Sequence, residues 1–388
     1  MNSNFPSISL CMIAKNEEAW IGRSIRSVRS IVSEIILVDT GSLDKTIEIA
    51  RAEGATIFQS EWVGDFAAAR NISLSHATCD WILILDADEI INAAELPLLQ
   101  QLTLDRKICW EFAQRHYSND YRLSSFTPVR GEFPEYEEKN AGYFESSLVR
   151  LFPNREGIEY RGKVHELVEH SIRELGRFQI RHTDILIHHY GHTAEVKKAK
   201  NKGSLYTPLG QAKVAENPGN WKNQFELGVE HNNNGRLEES EAAFLRALSL
   251  NESYLPTYIN LGYVQCERKQ YQAAAETLRR AIALNPRSEE AYCNLGVVFM
   301  RLPDLPRAER ALRHAIACSP AYVNAYNNLA ITLAQMGRLS EAAQILYRMR
   351  EIFAGSPHAS QRLADLYTAV GLKDVAQRYL SNSDESAR

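Results

Sequence analysis

A chain of 388 residues exceeds one ordinary core and is expected to form two domains. Its apolar, aromatic and charged fractions of 45%, 9% and 24% exclude disorder over most of the length, and a net charge of −4 argues against nucleic-acid binding through bulk electrostatics. Cys11, Cys79, Cys109, Cys266, Cys293 and Cys318 contain no CxxC pair or Cys/His ladder, so neither a zinc site nor a disulfide framework is expected, and reduced thiols in a cytoplasmic setting fit best.

From the amino terminus, short β-branched runs alternate with helical patterns. Ile8 to Ala14 reads as a strand that runs straight into Lys15, Asn16, Glu17 and Glu18, unlike a signal peptide. A helix over Glu18 to Ile31, a strand over Glu34 to Val38, a helix over Asp44 to Glu53 and a strand over Ala55 to Gln59 follow. A helix from Phe66 to His76 and a strand from Trp81 to Leu85 complete the run. Ser42, Asp44 and Asp65 are placed to accept from free amides at helix starts, and Gly54 sits at a helix stop. The alternation predicts an α/β domain, a mostly parallel sheet covered on both faces, over residues 1–200. Ligands of such sheets bind outside the carboxyl ends of the strands, where Asp39 and Asp86 fall.

Residues 197–220 read as a helix followed by a connector, the connector being assigned to 201–220. Beyond it Leu227-Gly228, Leu261-Gly262, Leu295-Gly296, Leu329-Ala330 and Leu363-Ala364 recur every 34 residues. Tyr258, Tyr292 and Tyr326 keep the register, as do Ala274, Ala308, Ala342 and Ala376, and Ala247, Ala281 and Ala315. This is the tetratricopeptide period, and it predicts an all-α solenoid of about five units over residues 221–382. No window approaches the roughly 18 apolar residues of a membrane span.

The run WILILDADEI ends a buried strand in Asp86, Asp88 and Glu89. An Asp-x-Asp pair on extended backbone puts both carboxylates on one side, where oxygen ligands suit Mg²⁺ or Mn²⁺ and hence a diphosphate; a helix cap with solvated acids is the plainer alternative. Asp39 could accept from a base or ribose, or serve the Asp-Thr-Gly-Ser turn. Arg70 could pair with diphosphate or base oxygens.

The order MIAKNEE, ILVDTGSLDKT, GDFAAARNISL and WILILDADE resembles the nucleotide-sugar-binding half of glycosyltransferase family 2, of GT-A fold. With the repeats behind it, the chain is similar to a bacterial branch that includes the sublancin-type peptide S-glycosyltransferases. ESSLVRLF and RGKVHELV, within Glu145 to Val168, resemble later segments of the family. The resemblance implies a metal-dependent, inverting transfer from a nucleotide sugar, a UDP-hexose being the first expectation. It implies nucleotide contacts from Asp39 and Arg70, Asp86 near the ribose or the metal, and Asp88 as the main metal ligand; Lys15 is a further candidate for the donor, and His165, beside Glu166, a further candidate for the metal.

The candidates for the base that deprotonates the acceptor are Glu166, Asp65 and Glu89, in that order, with His165 beside Glu166; a structural His-Glu pair is the alternative, and Glu89 is expected to start a helix. His182, His188, His189 and His192 crowd RHTDILIHHYGH, as a polar strand end or a second metal site, with His189 bordering the active site by resemblance. The aromatic segment Cys109 to Tyr143, with Trp110, Phe112, His116, Tyr117 and Tyr121, suits an acceptor or a core equally. A peptide or protein acceptor held with help of the array is expected, with a homodimer through the array as a further expectation. A glycan or lipid-linked saccharide acceptor, or a scaffold with an inactive transferase domain, are the alternatives.

Overall fold

The computed structural model describes residues 5–119, 126–137, 140–164, 166–191 and 203–352, with a few positions between 364 and 377. His165, Tyr121, His192 and most of the fifth repeat lie outside the described residues. The chain divides into two compact units, residues 1–117 with 145–199, and 118–144 with 200–388. The sequence pattern did not separate 118–144 from its neighbours.

The first unit opens with β1 (Ile8–Ala14), α1 (Ile21–Val28), β2 (Glu34–Asp39), α2 (Thr46–Ala52), β3 (Thr56–Gln59), α3 (Phe66–His76) and β4 (Trp81–Ile84). All four strands are parallel, and Ala14 lies in register with Asp39 at the carboxyl edge. The alternation of side chains along them fills two cores. Leu10, Met12, Leu37, Trp81 and Leu83 face α1, which contributes Ile21, Ile25 and Val28. Cys11, Ile36, Ile82 and Ile84 face the other side, which holds Ala67 of α3. Runs buried on both faces need no polar positions, which is why they read as continuous apolar stretches.

After β4 the chain forms β5 (Glu89–Ile91), α4 (Leu96–Leu102), β6 (Ile108–Ser118), β7 (Thr127–Pro128), α5 (Pro134–Glu137), β8 (Gly142–Pro153), α6 (Glu169–Leu175) and β9 (Gln179–His189). The sheet order is β3-β2-β1-β4-β8-β6-β9-β5, with β7 paired to β8. β4–β8 and β5–β9 are antiparallel and β6–β9 is parallel, so the second half of the sheet is mixed.

Helix starts follow the sequence in part. Asp65 caps α3 by accepting from the Ala68 amide at 2.9 Å, and Asp44 accepts from Thr46 N at 3.0 Å at the start of α2. Ser42 instead accepts from Asn16 N at 2.9 Å, tying the loop after β2 to the loop after β1.

The second unit holds α7 (Gly203–Glu216) and four helix pairs: α8 (Trp221–Asn233) with α9 (Leu237–Leu250), α10 (Leu255–Glu267) with α11 (Tyr271–Leu284), α12 (Glu289–Arg301) with α13 (Leu305–Cys318), and α14 (Val323–Gln335) with α15 (Leu339–Ile352). The stretch assigned to a connector is thus mostly α7. The recurring small residue has a steric cause: a Cβ on Gly228, Gly262 or Gly296 would lie 2.6–2.7 Å from Phe244, Leu278 or Leu312, the residue sixteen positions on. No described helix is long and apolar enough to cross a membrane.

One side chain near the sheet is poised to titrate. Burial pushes the Glu95 carboxyl up to about 7, partly offset by the amides of Leu186 and Asn92. A folded-state value above the unfolded one gives stability that is fully present below the ordinary carboxylate range and lost as pH rises through about 7. Glu95→Gln should therefore leave the unfolding temperature unchanged near pH 4 and raise it at pH 8. The gain is about 1 kcal/mol once partial exposure is allowed for. Thermal melts of both proteins at the two pH values check this.

Candidate active site

The DADE stretch is a turn between two strands. Asp86 N donates to Glu89 Oε2 at 2.8 Å, Glu89 N donates to Asp86 O at 3.1 Å, and Ser24 Oγ of α1 donates to the same carbonyl at 3.1 Å. Glu89 then opens β5 in register with His189 of β9. The expectation that Glu89 starts a helix is therefore corrected: its pairing with β9 and its burial, 1% exposed, make it a strand residue.

Glu89 anchors a row of alternating charges. Its Oε1 accepts from Gln114 Nε2 and from Arg150 Nη2, both at 2.6 Å. Arg150 lies on β8, 3% exposed, and the same Nη2 is 3.4 Å from Asp86 Oδ2. Asp86 Oδ1 accepts from Arg70 Nη2 at 2.8 Å, and Arg70 Nε donates to Glu166 Oε1 at 2.7 Å. Burial disfavours the ionised Asp86, but Arg70 and Arg150 outweigh it and hold its carboxyl below the ordinary range. Each Asp86 oxygen thus faces a guanidinium.

Asp88 is 4% exposed and points elsewhere. Its Oδ1 is 3.3 Å from His189 Nε2, and a Cβ on Gly191 would meet His189 Nε2 at 2.6 Å and Asp88 Oδ2 at 2.7 Å. The missing Cβ leaves a cradle on which a carboxylate oxygen and an imidazole nitrogen converge, and such a pair requires a proton or a cation between them. Burial disfavours protonated His189, while Asp88 and its hydrogen bond outweigh that and raise the imidazole above its ordinary value. His188, its neighbour on the opposite face, bonds Tyr117 OH through Nδ1 at 2.8 Å, and burial lowers it to about 3. The two adjacent histidines have opposite tendencies because a strand turns them to opposite faces.

The other sequence candidates scatter. Asp39 accepts from Gly41 N and Ser42 N, each at 3.0 Å, and so holds the turn that Gly41, at φ +101°, makes possible. Asp65 is occupied as a helix cap. Lys15 is exposed just beyond β1. His182 lies 3.6 Å from Glu111 on the half-exposed part of β9. Phe112 and Tyr117 are fully buried, and Trp110 packs on the core with its Nε1 donating to Leu102 O at 3.0 Å. Phe126 joins an apolar cluster with α14 and α15 residues of its own unit. Sequence reasoning missed Arg150, Gln114 and the closeness of His116 to His189. For Arg150 there was a signal, a lone charge inside the apolar run Val149 to Phe152.

Among the described residues, no three His, Cys, Asp or Glu side chains form a ready-made metal cluster. Two protein ligands still suit a cation of the Mg²⁺ type, which takes one or two carboxylates and completes its shell with substrate phosphates and water.

A sheet with an acid-bearing edge in one unit and successive helix pairs in the other are the features of a family 2 glycosyltransferase domain and of tetratricopeptide repeats. Residues 9–146 match the glycosyl transferase family 2 model, and 222–254, 262–302 and 311–344 match tetratricopeptide repeat models. Among particular relatives, a "TPR repeat-containing protein" of Synechococcus elongatus is 39% identical over 43% of this chain and 37% of its own length. An "uncharacterized glycosyltransferase" of Rickettsia bellii is 43% identical over 42% of this chain and 58% of its own. The "SPbeta prophage-derived glycosyltransferase SunS" of Bacillus subtilis is 25% identical over 59% of this chain and 50% of its own. The chain thus spans 37–58% of these relatives' lengths.

Removing Arg70 would leave Glu166 without its guanidinium partner and Asp86, whose side chain is 29% exposed, with Arg150. Arg70→Met should cost roughly 2–3 kcal/mol, and adding Glu166→Gln should recover part of the loss. Urea unfolding of both variants is the measurement.

Proposed function

We propose that the chain is a metal-dependent, inverting glycosyltransferase that moves a hexose from a UDP-sugar to a peptide or protein side chain held with help of the repeat array. The observation that carries this reading is the convergence of Asp88 Oδ2 and His189 Nε2 beside Gly191, two residues along the turn from the Asp86 that pairs with Arg70. A divalent cation held by Asp88 and His189 would neutralise the negative charge that builds on the diphosphate as the bond to the anomeric carbon breaks.

The chain's own groups do the rest. Arg70, with Asp86 and Glu166 on either side of it, presents a guanidinium to the phosphates. Glu166 takes the acceptor proton as the new bond forms on the opposite face of the sugar, which gives inversion. Asp86 acts by holding Arg70 and Arg150, leaving ligation to Asp88 and His189. Asp39 shapes the loop against which the nucleoside rests, and Lys15 adds a cation at the same edge. The peptide acceptor is supported by the resemblance to peptide-glycosylating enzymes and by the array, whose stacked helix pairs offer a long surface for an extended chain.

The test is hydrolysis or transfer from a panel of UDP-sugars with Mn²⁺. One donor should turn over, and Asp88→Asn should lower kcat at least about 100-fold while the fold is kept. Turnover that survives chelation would sink the metal mechanism, and silence with every donor would sink the enzyme reading.

A further inference from the structure

His189 is held from behind by a chain of hydrogen bonds that begins and ends at the DADE turn. His189 Nδ1 is 2.5 Å from His116 Nδ1 on β6, and His116 Nε2 is 2.7 Å from Ser146 Oγ on β8. Ser146 Oγ is 3.4 Å from Gln114 Oε1, and Gln114 Nε2 is 2.6 Å from Glu89 Oε1. The far end fixes the polarity of every link. The Gln114 amide nitrogen can only donate, so its oxygen is left to accept from the Ser146 hydroxyl. The Ser146 oxygen then accepts from His116 Nε2–H, which leaves His116 Nδ1 bare, to accept from His189 Nδ1–H. His189 therefore keeps a proton on Nδ1 and turns Nε2 toward Asp88.

We propose that His116 is a positioning residue that, through Ser146 and Gln114, fixes the tautomer and ring orientation with which His189 faces the cation site. The proposal rests on the reading of Asp88 and His189 as the metal-holding pair. An imidazole that ligates through one nitrogen needs an acceptor at the other to hold its ring, and loss of such a partner commonly costs 10–100-fold in metal affinity. A neutral histidine as that acceptor is less basic than a carboxylate, but its own Nε2–H is drawn toward Ser146, which raises the acceptor strength of Nδ1. Glu89, gripped by Arg150 and by the Asp86 amide, gives the chain a fixed end. His189 is thereby tied to one buried carboxylate, that of the residue next to Asp88.

The experiment measures Mn²⁺ binding by the full-length protein with UDP present, from the electron paramagnetic resonance signal of free Mn²⁺. His116→Leu should weaken binding roughly 10–100-fold. His116→Asn, whose amide oxygen can take the place of Nδ1 and accept from His189, should restore it to within a few-fold of the unaltered protein. Ser146→Ala, at an exposed residue, should weaken it a few-fold. Unaltered affinity in a folded His116→Leu, or an Asn variant as weak as the Leu variant, overturns the proposal. If His116→Leu does not fold, unaltered affinity in Ser146→Ala overturns it instead. An unaltered protein that retains no Mn²⁺, and is indistinguishable from Asp88→Asn, overturns the metal reading itself.

Discussion

Five ionisable side chains, Glu89, Arg150, Asp86, Arg70 and Glu166, stand in an alternating row at the carboxyl edge of the sheet, and the geometry of everything near them follows from that row. Charges out of water are costly unless each is paired and hydrogen-bonded. Here Glu89 takes bonds from Arg150, Gln114 and the Asp86 amide, while Asp86 sits between two guanidiniums. Moving any member strips a neighbour of one of its partners in a low-dielectric setting. The turn is thereby rigid, and rigidity is what a site that must stabilise developing charge requires.

The row also divides labour among acids that sit side by side in sequence. Glu89 is structural, Asp86 orders the arginines, and Asp88 alone faces the cradle beside Gly191. The strand pairing enforces this, because β5 runs antiparallel to β9 and brings His189 opposite Glu89 and beside Asp88. Asp86 orients the guanidiniums of Arg70 and Arg150, and Asp88, two residues on, faces the cradle.

In the array the governing constraint is steric. In three helix pairs the first helix carries a glycine where the second inserts Phe244, Leu278 or Leu312, and in the fourth Ala330 and Leu346 share one apolar cluster. That repeated close approach buries a continuous core across units, none of which could bury its apolar face alone. The excursion 118–144, inserted between two strands of the sheet, contributes Phe126 and Ala141 to the apolar cluster of the same unit.

Periodicity made much of this legible: the first four strands and α3 fall where their patterns predict, and the 34-residue step marks the helix pairs because the packing repeats in the chain itself. The motif order pointed to the acid-bearing edge and to family 2. What lay beyond sequence were the pairings between residues far apart along the chain. Arg150 and Gln114 read as strand residues, and nothing local says that both grip Glu89, or that His116 stands behind His189. Asp39 reads as a donor contact or a turn residue and Asp65 as a base or a helix cap, and only the structure shows their oxygens taking backbone amides of the turn and of α3. The sequence by itself determined the elements as far as β4, the repeat and the edge at which charge collects, because these depend on local pattern. Tertiary structure alone assigned a partner to each charge, because burial makes the stability of every ionised group depend on neighbours that the order of the residues does not reveal.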